Sequence, residues 1–168
     1  MKAGAYEVRP EGIYGMIYQP FVEYVQAALG FGGRVIPSMS LTRMTYELSM
    51  RHYVFASVHP SIRNLHNLPP KRGGHLVLVT GFSDSAREFT IHDPSGVLPD
   101  RQESARVPYD DFRRFFANRG LVIWNPELRR SAGPQPEFWA KLRAAFTLPT
   151  PTYQARSVLS ALANATPE

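Results

Sequence analysis

The chain has 168 residues, of which 43% are hydrophobic and 20% are charged, and it contains no cysteine. This length and composition are typical of one globular domain with a buried core. The absence of cysteine excludes disulfides, thiolate metal sites and thiol nucleophiles. No apolar run reaches the length of a membrane span, and residues 1–10 lack the apolar core of a secretory signal, so we expect a cytoplasmic protein without a membrane partner.

The formal net charge of the chain is +5. Its lysines and arginines are spread along the sequence, without zinc-finger spacing or an aromatic-flanked basic repeat. This distribution favours a solvated basic surface over a nucleic-acid interface. An acidic peptide or an acyl carrier would also suit such a surface.

The first half of the chain alternates helical and extended patterns. Residues 1–19 show no clear periodicity, and Pro20 then opens a helix with apolar residues at four-residue spacing, ended by glycines. Residues 34–36 predict a short strand. Ser40 is a suitable N-cap for a second helix through about Met50, and residues 53–58 predict a strand.

A β-hairpin is predicted after the loop at residues 60–74. Residues 75–82 and 88–93 alternate in the manner of strands, and a polar turn at residues 83–87 separates them. The following residues 94–105 predict a loop.

The last part of the domain predicts a helix at residues 109–118, with Phe112, Phe115 and Phe116 facing inward, and a strand at residues 121–124. Beyond this strand prolines become frequent and two short helical patterns follow. We therefore divide the chain into a domain at residues 1–125 and a Pro-rich helical arm at residues 126–168.

The hairpin predicts a meeting of an imidazole and a carboxylate. A turn centred on Asp84 pairs opposite residues as follows: His75 with Asp93, Val77 with Ile91, and Val79 with Phe89. Directly opposed residues of antiparallel strands project to the same face. Asp93 would then fix the tautomer of His75 and raise its basicity. An ordinary structural salt bridge is the alternative interpretation, and His92 would face the other side.

The hairpin motifs resemble a known family. GGHLVLVTGF at residues 73–82 and FTIHDPSG at residues 89–96 are similar to the histidine and aspartate motifs of papain-superfamily peptidases that process bacteriocin leaders. FASVHPSIR at residues 55–63 and the segment at residues 107–124 resemble the flanking elements. The resemblance implies an α+β, papain-like fold, an antiparallel sheet packed with helices. It also implies that His75 is a general base oriented by Asp93.

One part of the family pattern is missing. Such peptidases carry a cysteine at the start of a long helix and a glutamine of the oxyanion hole, and neither has a counterpart here. A covalent mechanism needs a nucleophile within hydrogen-bond reach of the base. No nearby hydroxyl heads a helix as the family's cysteine does; these hydroxyls belong to Ser57, Ser61, Thr80 and Ser95.

Three functional hypotheses follow. The first is a repurposed enzyme in peptide natural-product maturation, an epimerase or cyclase type, in which His75 and Asp93 act on a peptide or acyl substrate without a cofactor or metal. Weaker candidates for substrate contacts are Tyr14, Tyr18, Ser57, His59 and Arg63. The second is a non-catalytic module that binds a peptide or leader. The third is one piece of a split or truncated peptidase, which would dimerise or bind a partner protein.

A metal site is the last alternative that the sequence offers. His59 and His66 lie close enough to His75 in the sequence for shared ligation to be considered. Their spacing matches no known ligand pattern, so we expect no metal.

Overall fold

The computed structural model describes residues 5–10, 12–93 and 103–129 and shows an α+β fold. Within these residues three α-helices accompany the strands: α1 (Tyr18–Leu29), α2 (Leu41–Ser49) and α3 (Tyr109–Phe115). The strands are β1 (Tyr6–Arg9), β2 (Gly12–Met16), β3 (Gly32–Ile36), β4 (Tyr53–Val58), β5 (His75–Ser83), β6 (Glu88–His92), β7 (Ala105–Pro108) and β8 (Phe116–Trp124). No helix of these described segments has the length and apolar character needed to cross a bilayer.

The strands form a two-stranded and a six-stranded sheet. β1 and β2 make a separate antiparallel hairpin, and the larger sheet is antiparallel with the order β3-β8-β4-β5-β6-β7. β5 therefore lies near the middle of the sheet, between β4 and β6. This order places both strands of the predicted His–Asp hairpin side by side.

The larger sheet has an apolar core on each face, because side chains of a strand alternate between faces. On one face, Val54, Ala56 and Val58 of β4 pack with buried residues of α2 and α3; we call it the α2–α3 face. On the other, Phe55 packs with Phe21 and other residues of α1; we call it the α1 face. Helices thus cover the sheet on both sides.

The helices begin and end for local reasons. The Ser40 side chain accepts a hydrogen bond of 3.0 Å from the backbone N–H of Arg43, which confirms the predicted N-cap of α2. Met44 and Leu48 of α2 are buried. α1 begins at Tyr18 and not at Pro20. A proline fits within the first turn because the N–H groups there have no partner within the helix.

Residues 1–19, which show no clear periodicity, contain the β1–β2 hairpin. Two boundary predictions are wrong. The predicted loop at residues 94–105 gives way at Ala105 to strand β7. α3 stops at Phe115, because Phe116 starts β8 and pairs with Val58 of β4. The inward phenylalanines are confirmed, since Phe112, Phe115 and Phe116 have no exposed surface. Strand pairing thus decided where the helix ended.

The predicted hairpin register is also wrong, by two residues. Val79 pairs with Ile91 and Leu78 with His92, and the register then shifts at a bulge between Val79 and Gly81. A shift of two residues keeps the side chains before the bulge on their predicted faces, whereas a shift of one would not. The bulge lets Phe82 and Phe89 become partners on the way to the turn.

The predicted C-terminal arm at residues 126–168 lies outside the described residues, except for the 3₁₀ turn Pro126–Arg129. The division at residues 125 and 126 therefore stays a prediction.

A buried carboxylate joins α2 to β3 at one edge of the sheet. Glu47 is fully buried, and one of its oxygens accepts hydrogen bonds of 2.6 Å from both Arg34 and Arg43. Its other oxygen lies 2.7 Å from Nδ1 of His52, whose ring stacks on Trp124. Burial raises the pKa of Glu47, but the hydrogen bonds from His52 and the two arginines outweigh burial and hold the pKa below its usual value.

We expect Glu47→Gln to lower the free energy of unfolding by about 2 kcal/mol at neutral pH, since charge-assisted hydrogen bonds are lost. A depressed folded-state pKa stabilises the fold above the unfolded value near 4.5, and this stabilisation disappears as pH falls through the folded value. Urea unfolding at several pH values should therefore show that the free energies of unfolding of the parent protein and Glu47→Gln become equal at acidic pH. Glu23→Gln, at an exposed site on α1, is the matched control and should leave stability unchanged. An equal loss of stability in Glu47→Gln and Glu23→Gln would contradict a stabilising role for the Glu47 carboxylate.

Candidate functional site

His75 and Asp93 meet on the α2–α3 face. His75 is the first residue of β5 and pairs with Val58 of β4, and Asp93 directly follows β6. Nε2 of His75 lies 2.8 Å from Oδ1 of Asp93. The predicted contact is therefore confirmed, although the register puts Asp93 across from Val77 and the two side chains meet on a diagonal. A diagonal contact is within reach of a long aromatic side chain.

Arg63 completes this site. Its Nε donates to Oδ2 of Asp93 at 3.1 Å, so His75 and Arg63 occupy different oxygens of one carboxylate. Asp93 is 3% exposed, and a buried carboxylate is tolerated when charged or polar donors satisfy it. We call His75, Asp93 and Arg63 the Asp93 cluster. Arg63 was a weak candidate from sequence, and its ion pair was not predicted because 30 residues separate the partners.

The Asp93 cluster fixes the tautomer of His75. A carboxylate only accepts hydrogen bonds when ionised, so the proton of a neutral imidazole is on Nε2. Nδ1 then carries the lone pair, and it makes no hydrogen bond to any residue within the described segments. The His75 side chain is 13% exposed. This arrangement leaves one basic nitrogen oriented by a carboxylate on the opposite side of the ring, as general-base catalysis requires.

His59 positions the turn that carries Arg63. It precedes the 3₁₀ helix Pro60–Arg63, and its Nδ1 accepts a hydrogen bond of 3.2 Å from the backbone N–H of Ser61. The backbone N–H of His59 donates to the carbonyl of Phe115 at 2.9 Å. His59, a predicted substrate contact, is thus a capping residue beside the Asp93 cluster.

Two other predicted substrate contacts, Ser57 and Tyr18, lie on the α1 face, opposite His75. Ser57 pairs with Leu76, whereas its neighbour Val58 pairs with His75, so Ser57 points to the α1 face. It is 2% exposed, and its Oγ would lie 3.2 Å from a Cβ placed on Gly73. Tyr18 packs against the core of the α1 face as well. The sheet therefore separates both residues from His75. Tyr14 belongs to β2, and its side chain lies outside the described part of the structure.

The hydroxyl groups considered as nucleophiles have other partners or positions. Oγ of Ser61 lies 2.6 Å from Nδ1 of His59, and the Thr80 hydroxyl donates to the carbonyl of Thr90 at 3.4 Å. Ser57 faces away, and Ser95 lies outside the described residues. Among the described hydroxyls that the sequence suggested, none hydrogen-bonds to His75.

His92 lies on the α1 face, as predicted. Its partner Leu78 belongs to the core of that face, and the ring is 2% exposed. Nδ1 accepts a hydrogen bond of 2.8 Å from the backbone N–H of Ser104. Burial lowers the pKa of His92, and the nearby charge of Glu103 opposes this shift only in part. His92 is therefore a neutral packing residue, separated from His75 by the sheet.

No group of three or more potential metal ligands gathers within the described residues. His59 and His66 do not join His75 in such a group there.

Comparison with known proteins adds no family assignment. A scan against protein-family models finds no match to this chain, and a search of curated proteins finds no significant match either. The resemblance of the hairpin motifs to papain-superfamily peptidases therefore depends on the residues themselves.

We expect Asp93→Ala to remove the Nε2–H···O contact of His75 and to lower the free energy of unfolding by about 2 kcal/mol, since a buried charge-assisted hydrogen bond is lost. Long-range ¹H–¹⁵N correlation spectra of the neutral ring should show the Nε2–H tautomer in the parent protein and a mixture of tautomers in Asp93→Ala. Asp84→Ala, at an exposed site in the hairpin turn, is the control. A parent spectrum with the proton on Nδ1 would exclude the proposed orientation.

Proposed function

We propose that this chain is a papain-superfamily-like protein that uses His75 and Asp93 for acid–base chemistry on a peptide or acyl substrate, without a covalent intermediate. The observation that carries the proposal is the 2.8 Å contact between Nε2 of His75 and Asp93, which leaves Nδ1 as the only basic nitrogen of the ring. The order of the motifs and the α+β fold support the family resemblance.

The proposed reaction starts with a proton transfer. Nδ1 of His75 takes a proton from a carbon next to a substrate carbonyl, and the electron pair moves towards the carbonyl oxygen. Asp93 stabilises the resulting imidazolium through its contact with Nε2. The imidazolium or solvent then returns a proton to the carbon, and the net change is isomerisation or exchange at that carbon.

Arg63 is the proposed carbonyl clamp. Only its Nε is engaged by Asp93, and its side chain is 23% exposed. The two terminal amino groups make no hydrogen bond to another residue of the described segments. Arg63 and His75 hold the two oxygens of the same carboxylate. A guanidinium at this place would stabilise negative charge that develops on the carbonyl oxygen.

The structure favours non-covalent chemistry over hydrolysis through an acyl-enzyme. An acyl-enzyme requires a nucleophile in contact with the base. Ser57 points to the other face, and Ser61 and Thr80 hydrogen-bond elsewhere. Proton abstraction needs only the base, its orienting carboxylate and a polarising donor, and the Asp93 cluster contains all three.

A second candidate is a peptide-binding module without catalysis. The burial of Asp93 and the mostly buried ring of His75 favour it, since the same contacts would serve to stabilise a loop. In that case ligand binding should persist in His75→Ala, while no reaction depends on the residue.

The proposed reaction is tested by incubating the protein with a peptide library in D₂O and measuring deuterium at α-carbons by mass spectrometry. We expect His75→Ala to reduce the exchange rate by about 10²–10⁴-fold, the usual contribution of a positioned acid–base group. Arg63→Gln should reduce it less, because one polarising group is lost while the base remains.

Ser57→Ala is the matched control, because this residue lies in a neighbouring strand but faces away from His75. Its exchange rate should equal that of the parent protein. Equal exchange in His75→Ala and the parent would rule out the acid–base proposal.

A further inference from the structure

The loop at residues 64–74 is closed by the Asp93 cluster. Arg63 directly precedes the loop and His75 directly follows it, and both side chains contact the same carboxylate. Near its start, the carbonyl of Leu65 accepts a hydrogen bond of 2.6 Å from Arg114 of α3. Compact surface loops with neighbouring ends are frequently functional. The two ends of the loop are therefore fixed next to His75, the proposed general base.

The outer part of this loop combines an apolar side chain with positive charge. Leu68 is 79% exposed, more than the other exposed large hydrophobic residues of the described segments. Lys71 and Arg72 are exposed in the same loop. No aspartate or glutamate occurs in the sequence between Glu47 and Asp84. One exposed leucine is ordinary, but here two cations and then His75 follow it within seven residues, with no acidic residue nearby in the chain.

We propose that the loop at residues 64–74 binds an acidic peptide segment that carries an apolar side chain. Leu68 contacts the apolar side chain, and Lys71 and Arg72 attract the carboxylates. The inference deepens the proposed function and rests on it for one point only, that the bound segment belongs to the substrate. Binding would place the residue next to that segment near Nδ1 of His75.

A peptide fits this loop better than a nucleic acid does. Single-stranded nucleic acids are bound by aromatic side chains that stack on bases, together with a basic groove. Residues 64–74 contain no aromatic ring apart from the imidazole of His66. An exposed leucine offers little to a phosphate backbone, whereas it can bury an apolar side chain of a peptide.

The test uses a fluorescein-labelled peptide of about ten residues that alternates glutamate and leucine, and fluorescence anisotropy at low and high salt. We expect the double variant Lys71→Ala/Arg72→Ala to weaken binding by about tenfold at low salt and by less at high salt, since exposed charges are screened. Leu68→Ser should weaken binding by about fivefold at both salt concentrations, since apolar contact does not depend on screening.

The matched control is Arg106→Ala/Arg113→Ala, which removes the same number of charges from arginines that are 75% and 61% exposed elsewhere. It should bind like the parent protein. An equal loss in both double variants would overturn the proposal, and so would failure of the parent protein to bind. Equal binding of an oligothymidylate with the same charge would also overturn it.

His75→Ala separates this inference from the proposed reaction. It should bind the labelled peptide more tightly than Lys71→Ala/Arg72→Ala does, because Arg63 on Asp93 and Arg114 on the carbonyl of Leu65 still hold the ends of the loop. Binding by the loop together with undiminished exchange in His75→Ala would leave the loop as a peptide site and exclude the acid–base reaction.

Discussion

The Asp93 carboxylate is the contact on which the site depends. One buried group, 3% exposed, receives the imidazole of His75 on one oxygen and the guanidinium of Arg63 on the other. Burial of a carboxylate is costly unless such donors satisfy it, so the two donors and the acceptor hold one another in place. The tautomer of His75, the position of Arg63 and the closure of the loop at residues 64–74 all follow from this one group.

The same arrangement occurs at the other end of β4 with a different result. Glu47 is also buried and is satisfied by arginines and by His52. Its histidine is stacked on Trp124 and is 3% exposed, whereas the His75 side chain is 13% exposed. Both clusters stabilise a buried charge, but the histidine of the Asp93 cluster is the more exposed of the two. The exposure of the histidine side chain distinguishes the Asp93 cluster, the candidate site, from the buried cluster around Glu47.

The absence of a cysteine limits the reactions that the site can catalyse. With no cysteine in the chain, and with Ser57 on the α1 face, the described residues offer His75 a positioned carboxylate and an arginine. These groups suffice to move a proton and to stabilise an oxyanion. They do not provide an acyl acceptor, and this is why the proposal is isomerisation or exchange at a carbon and not peptide cleavage.

The sequence by itself determined to which face of the sheet the side chains of a strand project. Side chains along β4, β5 and β6 alternate with a period of two, so His75 and Asp93 share a face even though the predicted register was wrong by two residues. The N-cap at Ser40 and the inward phenylalanines also depend on local sequence alone. Only the tertiary structure decided which distant groups meet. The bulge after Val79, the ion pair from Arg63 and the end of α3 at Phe115 depend on strand pairing and loop closure, and no local pattern encodes them.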